Sequence, residues 1–330
     1  MKSGSRATVA LALGMNLAVT ATKLTAGVIS GSSAMLSEGA HSVSDSVNEL
    51  FLVASVRRSE RSADDQHPFG YGAERFFWSL MAAMGIFTVG GGFSLFEAYR
   101  AFETPPRPGS WVLEYAVLAL AAIFEGSSLI RALHQIRNEA GSVGRTPLEH
   151  ITKSADPAVK TVASEDLIAI FGILVAIAGV CLHEETGNGR WEGVASAFIG
   201  VLLIIAAVAL ARDNLSLLIG ESVAMETRSL IAETIEQHPM VETVVELLTR
   251  YLGAHEVLVA ARVQLVAGLS SAEVAGMSSD IDKELRRSDA EITQVFIDAT
   301  TPQESLAGEL DATAPRAGRC LAGQRLGGLE

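Results

Sequence analysis

A histidine and an aspartate stand one helical turn apart in a segment with apolar flanks. They are His41 and Asp45, in SAMLSEGAHSVSDSVNELFLVASV, residues 33–56. A second acidic pair, Glu165 and Asp166, lies in DPAVKTVASEDLIAIFGILVAIAGV, residues 156–180. Ionisable side chains are expensive in hydrocarbon, and where they occur they mark paths for ions or protons. An imidazole among carboxylates is a ligand set for a first-row divalent metal such as zinc. Helical spacing puts Glu38, His41, Asp45 and Asn48 on one face. Two ligands from one helix cannot close a tetrahedral site, so a second helix must contribute.

The elements that position these residues read as membrane spans. Of 330 residues, 49% are hydrophobic and 19% charged, below the roughly 25% charged of a soluble domain. Mean hydropathy is +0.32. Spans need about 20 mainly apolar residues, which predicts six of them, near 7–29, 34–56, 76–101, 111–134, 158–182 and 191–212. The N-terminal segment has the basic residues, apolar run and small-residue site of a signal peptide. Its apolar run continues past Lys23, so it is read as a first span. The connection Ser30–Ser33 is short enough to make spans one and two a hairpin. Trp78, Trp111 and Trp191 each fall near the start of a span, as interfacial anchors do. Lys and Arg crowd the connections on one side, which predicts both termini in the cytoplasm.

Depth selects the second helix. Span two ends near Arg57, twelve residues after Asp45, so Asp45 lies about 18 Å from that end. Span five starts in the opposite direction, with Asp156 as N-cap and Pro157 at the first helical position. Asp166 is ten residues further, about 15 Å deep. Both acids are therefore expected near the middle of the bilayer. Glu165 points about 100° away from Asp166, toward a neighbouring helix or a proton path. Asn16, Lys23 and Glu125 are further polar groups within spans. Lys23 has no lone pair to offer a metal, so it snorkels or pairs with an acid. Glu125 is either a proton-path residue or a packing partner. A polar residue that merely bonds between helices is the plain alternative for His41 taken alone.

After Arg212 the pattern changes. Residues 225–238 and 270–287 read as amphipathic helices, and 241–250, 256–266 and 292–299 as strands. The order α-β-β-α-β suits a small ferredoxin-like sheet. From Thr301 the chain is rich in Gly, Ala, Pro and charge and reads as a disordered tail. The expected domains are thus a transmembrane bundle over 1–212, a cytoplasmic domain over 213–300 and a tail over 301–330.

Several classes are excluded. A net charge of -13 argues against nucleic acid, which needs clustered Lys and Arg. Cys181 and Cys320 form no thiolate metal motif. The chain has neither a Walker A motif for ATP drive nor an HExxH motif for a metalloprotease, so an enzyme is not expected.

The stretch SGSSAMLSEGAHSVSDSVNELFLVASVRRSERSADDQHPFGYGAERFFWSL, together with span five, resembles the cation diffusion facilitator family of zinc-transporter-like exporters. The likeness covers residues 7–300, and the HxxxD of span two with the ADDxHxFGxG loop carries it. It implies a membrane all-α six-helix bundle with a C-terminal α+β ferredoxin-like cytoplasmic domain, working as a homodimer. It also implies export of a divalent cation against protons through a site shared by spans two and five. In this sequence His41 and Asp45 would be the span-two ligands and Asp166 the second acid of span five. Many members carry a histidine four residues before that acid, where this chain has Val162. Glu165, of an ED pair found in one branch of the family, is the candidate replacement, or water completes the sphere. Zn²⁺ leads as the transported ion, with Fe²⁺, Co²⁺ and Mn²⁺ open.

The family's second, interfacial metal site would fall at Asp64, Asp65 and His67, but Tyr71 stands where its third histidine would be. His238, His255 and Asp298 are scattered, so dimerisation suits the C-terminal domain better than metal sensing. A membrane-bound metal sensor or scaffold with a structural site is the competing function. The expected location is a prokaryotic plasma (inner) membrane.

Overall fold

The computed structural model describes residues 3–104, 111–142, 144, 146–148 and 157–300. Asp156, the expected N-cap of span five, and the segment from Thr301 lie outside these residues. The chain divides into two compact units, Met1–Ser222 with Arg250–Glu256, and Val223–Thr249 with Val257–Glu330.

The first unit is helical. Its elements are α1 Ser3–Ser30, α2 Ser33–Ser59, α3 Glu74–Glu103, α4 Trp111–Ser142, α5 Pro157–Thr186 and α6 Arg190–Ile219. Four segments among the described residues are long and apolar enough to cross a membrane: Glu74–Glu103, Trp111–Asn138, Glu165–Thr186 and Arg190–Ile219. In α2 the acids Glu38, Asp45 and Glu49 interrupt the apolar residues. Large apolar side chains such as Ile29, Ile123, Ile130 and Ile205 point outward and are exposed, as a lipid-facing surface requires. Small and aliphatic residues fill the interior, among them Ala34, Met35, Leu118, Ile173, Ala176 and Ile199. The unit is a helical membrane domain.

The α1–α2 hairpin follows from two residues. Gly31 adopts φ 72°, a conformation open to glycine without strain. The Ser32 hydroxyl then accepts a hydrogen bond from Met35 N at 3.3 Å and caps α2. At the opposite end of α2, Arg58 lies 5.1 Å from the ring centre of Trp78.

Helix α3 departs from the uniform span expected over 76–101. Its middle, Ile86–Gly92, widens into π-helical turns. The local sequence is IFTVGGG, and its glycines bring α3 close to both neighbours. A Cβ on Gly90 would lie 2.9 Å from Ser44 Oγ of α2, and one on Gly91 would lie 2.5 Å from Ile204 Cγ1 of α6. Hydrophobic periodicity does not register an inserted residue of this kind.

The second unit contains α7 Met225–Glu236, β1 Val241–Gly253 as far as Thr249, β2 Glu256–Leu265 from Val257 on, α8 Ser271–Ser288 and β3 Ile292–Thr300. The element order is the α-β-β-α-β read from the sequence. The strands form one sheet in the order β1-β2-β3, with β2 and β3 parallel. Alternate β2 residues Val257, Val259, Ala261 and Val263 are buried, as are Ile231 and Ile235 of α7 and Met277, Ile281 and Leu285 of α8. That is the period-two and period-3.6 patterning of a sheet covered by helices. A capping box formed by Ser270 and Glu273 starts α8.

Candidate metal centre

Helix α2 carries a column of polar side chains into the first unit. Glu38 and His41 are 0% and 1% exposed, and Asn48 is 1% exposed. Asp45 follows His41 by one turn, and its Oδ2 lies 3.2 Å from His41 Nε2. The approach lacks hydrogen-bond geometry, so both imidazole nitrogens are buried without a hydrogen-bond partner. A buried donor or acceptor left unmatched costs about 1–3 kcal/mol. Unmatched nitrogen beside a carboxylate is a feature a metal ion would satisfy.

Helix α1 supplies a fixed cation. Lys23 is fully buried, and its Nζ donates to Ser42 Oγ at 2.8 Å. The same ammonium lies 3.4 Å from Glu38 Oε2 and 3.5 Å from Glu125 Oε1 of α4. Of the alternatives stated for Lys23, pairing with acids is the one observed, and Glu125 is one of the partners. Asn16, also on α1, donates to Glu49 Oε1 at 3.4 Å.

The two acids of α5 face different helices. Glu165 meets α2, where Asn48 Nδ2 donates to Oε1 at 2.6 Å and to Oε2 at 2.7 Å. Asp166 turns toward α4 and accepts a hydrogen bond from Ser128, while its Oδ2 has no partner. Asp45 lies within electrostatic reach of Glu49, Glu125, Glu165 and Asp166. The cluster therefore holds the carboxyl groups of Glu38, Asp45, Glu49, Glu125, Glu165 and Asp166 around the Lys23 ammonium and the His41 imidazole, with the Arg131 guanidinium also within reach of Asp166. In a medium of low dielectric such a group of carboxyls must be neutralised by protons or by an added cation.

Among the described residues, no three His, Cys, Asp or Glu side chains are gathered closely enough to hold a metal ion. His41 and Asp45 are brought together. Glu165 is held against Asn48, and Asp166 stands apart from both. The amide of Asn48 occupies the face of Glu165 that a cation would use. The side chain of Val162 lies outside the described residues. Sequence reading did not single out Glu49, although it follows Asp45 by four residues and shares its helix face. Ser128 was also missed, since one serine in an apolar helix carries no distinguishing pattern.

The loop pair sits in different surroundings. Asp64 and His67 side chains are 45% and 48% exposed. Asp64 Oδ1 accepts from His67 N at 2.8 Å and Gln66 N at 3.1 Å, and Oδ2 accepts from Tyr71 OH at 2.7 Å. His67 Nδ1 is 3.3 Å from Asp64 Oδ1. Arg61 covers the Tyr71 ring at 4.0 Å. The Tyr71 hydroxyl, followed by the His67 amide, holds the Asp64 carboxyl down at about 2. In the second unit Asp298 is engaged by Arg262 at 2.9 Å, and His238 Nδ1 accepts from Met240 N at 3.3 Å.

A helical membrane domain with imidazole and carboxylates buried across its helices is a cation-handling architecture. Residues 9–219 match the family described as the cation efflux transmembrane domain. The chain belongs to this family of transporters. It is 29% identical over 235 residues to a mouse protein named proton-coupled zinc antiporter SLC30A9, mitochondrial, a match covering 71% of this chain and 41% of that protein. It is 29% identical over 249 residues to metal tolerance protein C4 of Arabidopsis thaliana, covering 76% of this chain and 54% of that one. With the manganese efflux system protein MneP of Bacillus subtilis the identity is 26% over 300 residues, covering 89% and 95%. The chain thus spans about two-fifths of the length of the mouse relative.

Proposed function

We propose that the chain is a divalent metal cation efflux transporter, with zinc the leading ion, that exchanges metal for protons by alternating access. His41 and Asp45 of α2 supply the first ligands. Glu165 and Asp166 of α5 supply the remaining oxygen, Glu165 once the Asn48 amide swings off its carboxylate. The observation that carries this reading is the buried His41–Asp45 pair, its imidazole nitrogens unmatched, among carboxyl groups that outnumber the cations. Relatives named for zinc and for manganese leave both ions in play.

The chemistry follows from the donors. A cation binds neutral imidazole and ionised carboxylates, so loading releases protons. On the other side protons return to the same groups, weaken binding and reset the empty carrier. Lys23 holds Glu38 and Glu125 and keeps those two acids from competing for the metal. The bundle has six spans with both termini in the cytoplasm, the second unit is a ferredoxin-like domain favouring a homodimer, and the host is a prokaryotic plasma membrane. A relative named as mitochondrial makes an organelle membrane the competing location.

Asp45→Ala tests the assignment. Zinc uptake into proteoliposomes under an imposed pH gradient is expected to fall to the rate of protein-free vesicles while the protein still inserts. Flux like the wild type would refute the role of Asp45. A membrane metal sensor with a structural site is the second reading, favoured by the absence of a gathered three-ligand group among the described residues. It predicts zinc binding with no uptake under any pH gradient.

A further inference from the structure

At the Ser33 end of α2, helix termini converge on a cavity of about 370 Å³. It is lined by Ser32, Glu97, Arg100, Glu114, His183 and Glu192, among others. These residues belong to the last turns of α3 and α5, the first turns of α4 and α6, and the α1–α2 hairpin. Ser33 is eight residues from His41, so this mouth lies about 12 Å along α2 from the centre described above.

The polar groups here are arranged in a definite order. Glu192 is 4% exposed, and its Oε1 lies 2.5 Å from His183 Nδ1. Its Oε2 accepts a hydrogen bond from the Ser32 hydroxyl. Against an ionised carboxylate Nδ1 is the donor, and in the neutral imidazole that leaves the lone pair on Nε2. A carboxylate on one ring nitrogen is the usual support for a histidine that binds metal through the other. The Trp111 ring stands edge-on to the imidazole, 4.8 Å between centres, and restricts its rotation. Glu114 is 1% exposed and accepts from Ser30, while its Oε2 is buried with no partner. It lies within electrostatic reach of Glu192. Glu97 is already held by Arg100 at 3.0 Å. Three carboxyl groups thus face one guanidinium and one imidazole.

We propose a second divalent cation site in this cavity, with His183 Nε2 and Glu114 Oε2 as protein donors and Glu192 orienting the imidazole. Nitrogen with carboxylate oxygen suits zinc and its first-row neighbours over magnesium. Two protein donors leave water to fill the remaining positions, so the site is weaker than the central one. A weak, hydrated site at one mouth is suited to metal that is leaving the carrier. That role rests on the efflux reading, whereas the existence of the site does not.

The test is Co²⁺ binding to the full chain in lipid nanodiscs, read by equilibrium dialysis and by the visible absorption of the bound ion. Wild-type protein is expected to show two classes of site. Asp45→Ala should keep the weaker class, and adding Glu114→Gln, which preserves shape, should remove it. Glu192→Gln should weaken that class about tenfold, as loss of a supporting partner does. Thermal unfolding of each variant checks that the fold is retained. If Asp45→Ala binds no Co²⁺ while wild type binds one ion, the mouth site is overturned and the central assignment stands. If Asp45→Ala keeps the tight class and loses the weak one only with Glu114→Gln, the mouth site stands and the central assignment fails.

Discussion

The same two side-chain types occur twice as neighbours on this chain, and their surroundings make them different chemical objects. His41 and Asp45 are buried in α2, 3.2 Å apart, with the imidazole nitrogens unmatched. His67 and Asp64 are about half exposed in a loop, 3.3 Å apart, and the carboxylate there takes hydrogen bonds from two backbone amides and Tyr71. Burial without partners leaves donors that a cation can use. A carboxylate saturated by its own loop has little left to offer. The spacing of residue types therefore identifies candidates, and the state of their lone pairs ranks them.

The sharpest way to break this comparison is to remove each histidine in turn. His41→Ala is expected to lower zinc flux about 100-fold, the upper end of what losing even a supporting partner does to a metal site. His67→Ala is expected to leave flux within twofold of wild type, roughly the scatter of a surface change. Equal losses in a proteoliposome uptake assay would erase the distinction.

The fixed cation gives the next effect. Lys23→Met leaves the buried Glu38 and the partly buried Glu125 without their ammonium, and breaking a buried pair from one side costs about 3–5 kcal/mol. Thermal unfolding in detergent should show that loss, and adding Glu38→Gln should recover part of it. If the single variant is as stable as wild type, the ammonium is not holding those acids. On α5, Glu165→Gln should weaken zinc uptake about tenfold, against a smaller change for Asp166→Asn. The reverse order, read from half-saturation in the same assay, would make Asp166 the ligand.

The smallest effect concerns the loop. The Asp64 carboxyl sits at about 2, below its ordinary 3.8. Its contribution is therefore complete above about pH 3.8 and is lost as pH falls through about 2. Tyr71→Phe removes the leading cause, so a ¹³C carboxyl titration should show Asp64 moving back up toward 3.8. No movement would mean that the hydroxyl does not hold this carboxylate.

Much of the frame was legible beforehand. Apolar runs located the long helices, and alternation in Val257–Val263 located β2 with its buried face. Constant rise per residue fixes how far along its own helix each acid lies. Azimuth was not legible, since it depends on how α5 is rotated against its neighbours. The face of Glu165 that meets Asn48 and the turn of Asp166 toward Ser128 therefore emerge only in three dimensions. Glu114, His183 and Glu192 carry no distinguishing pattern in the sequence. A sequence cannot show that helix ends distant along the chain share one cavity.

The glycine-rich turn of α3 has a mechanical consequence. On one side Gly90 abuts Ser44, beside Asp45, and on the other Gly91 abuts Ile204, each with no room for a methyl group. The helix has no lateral clearance at these two points, so a methyl group on either glycine must push α2 or α6 away.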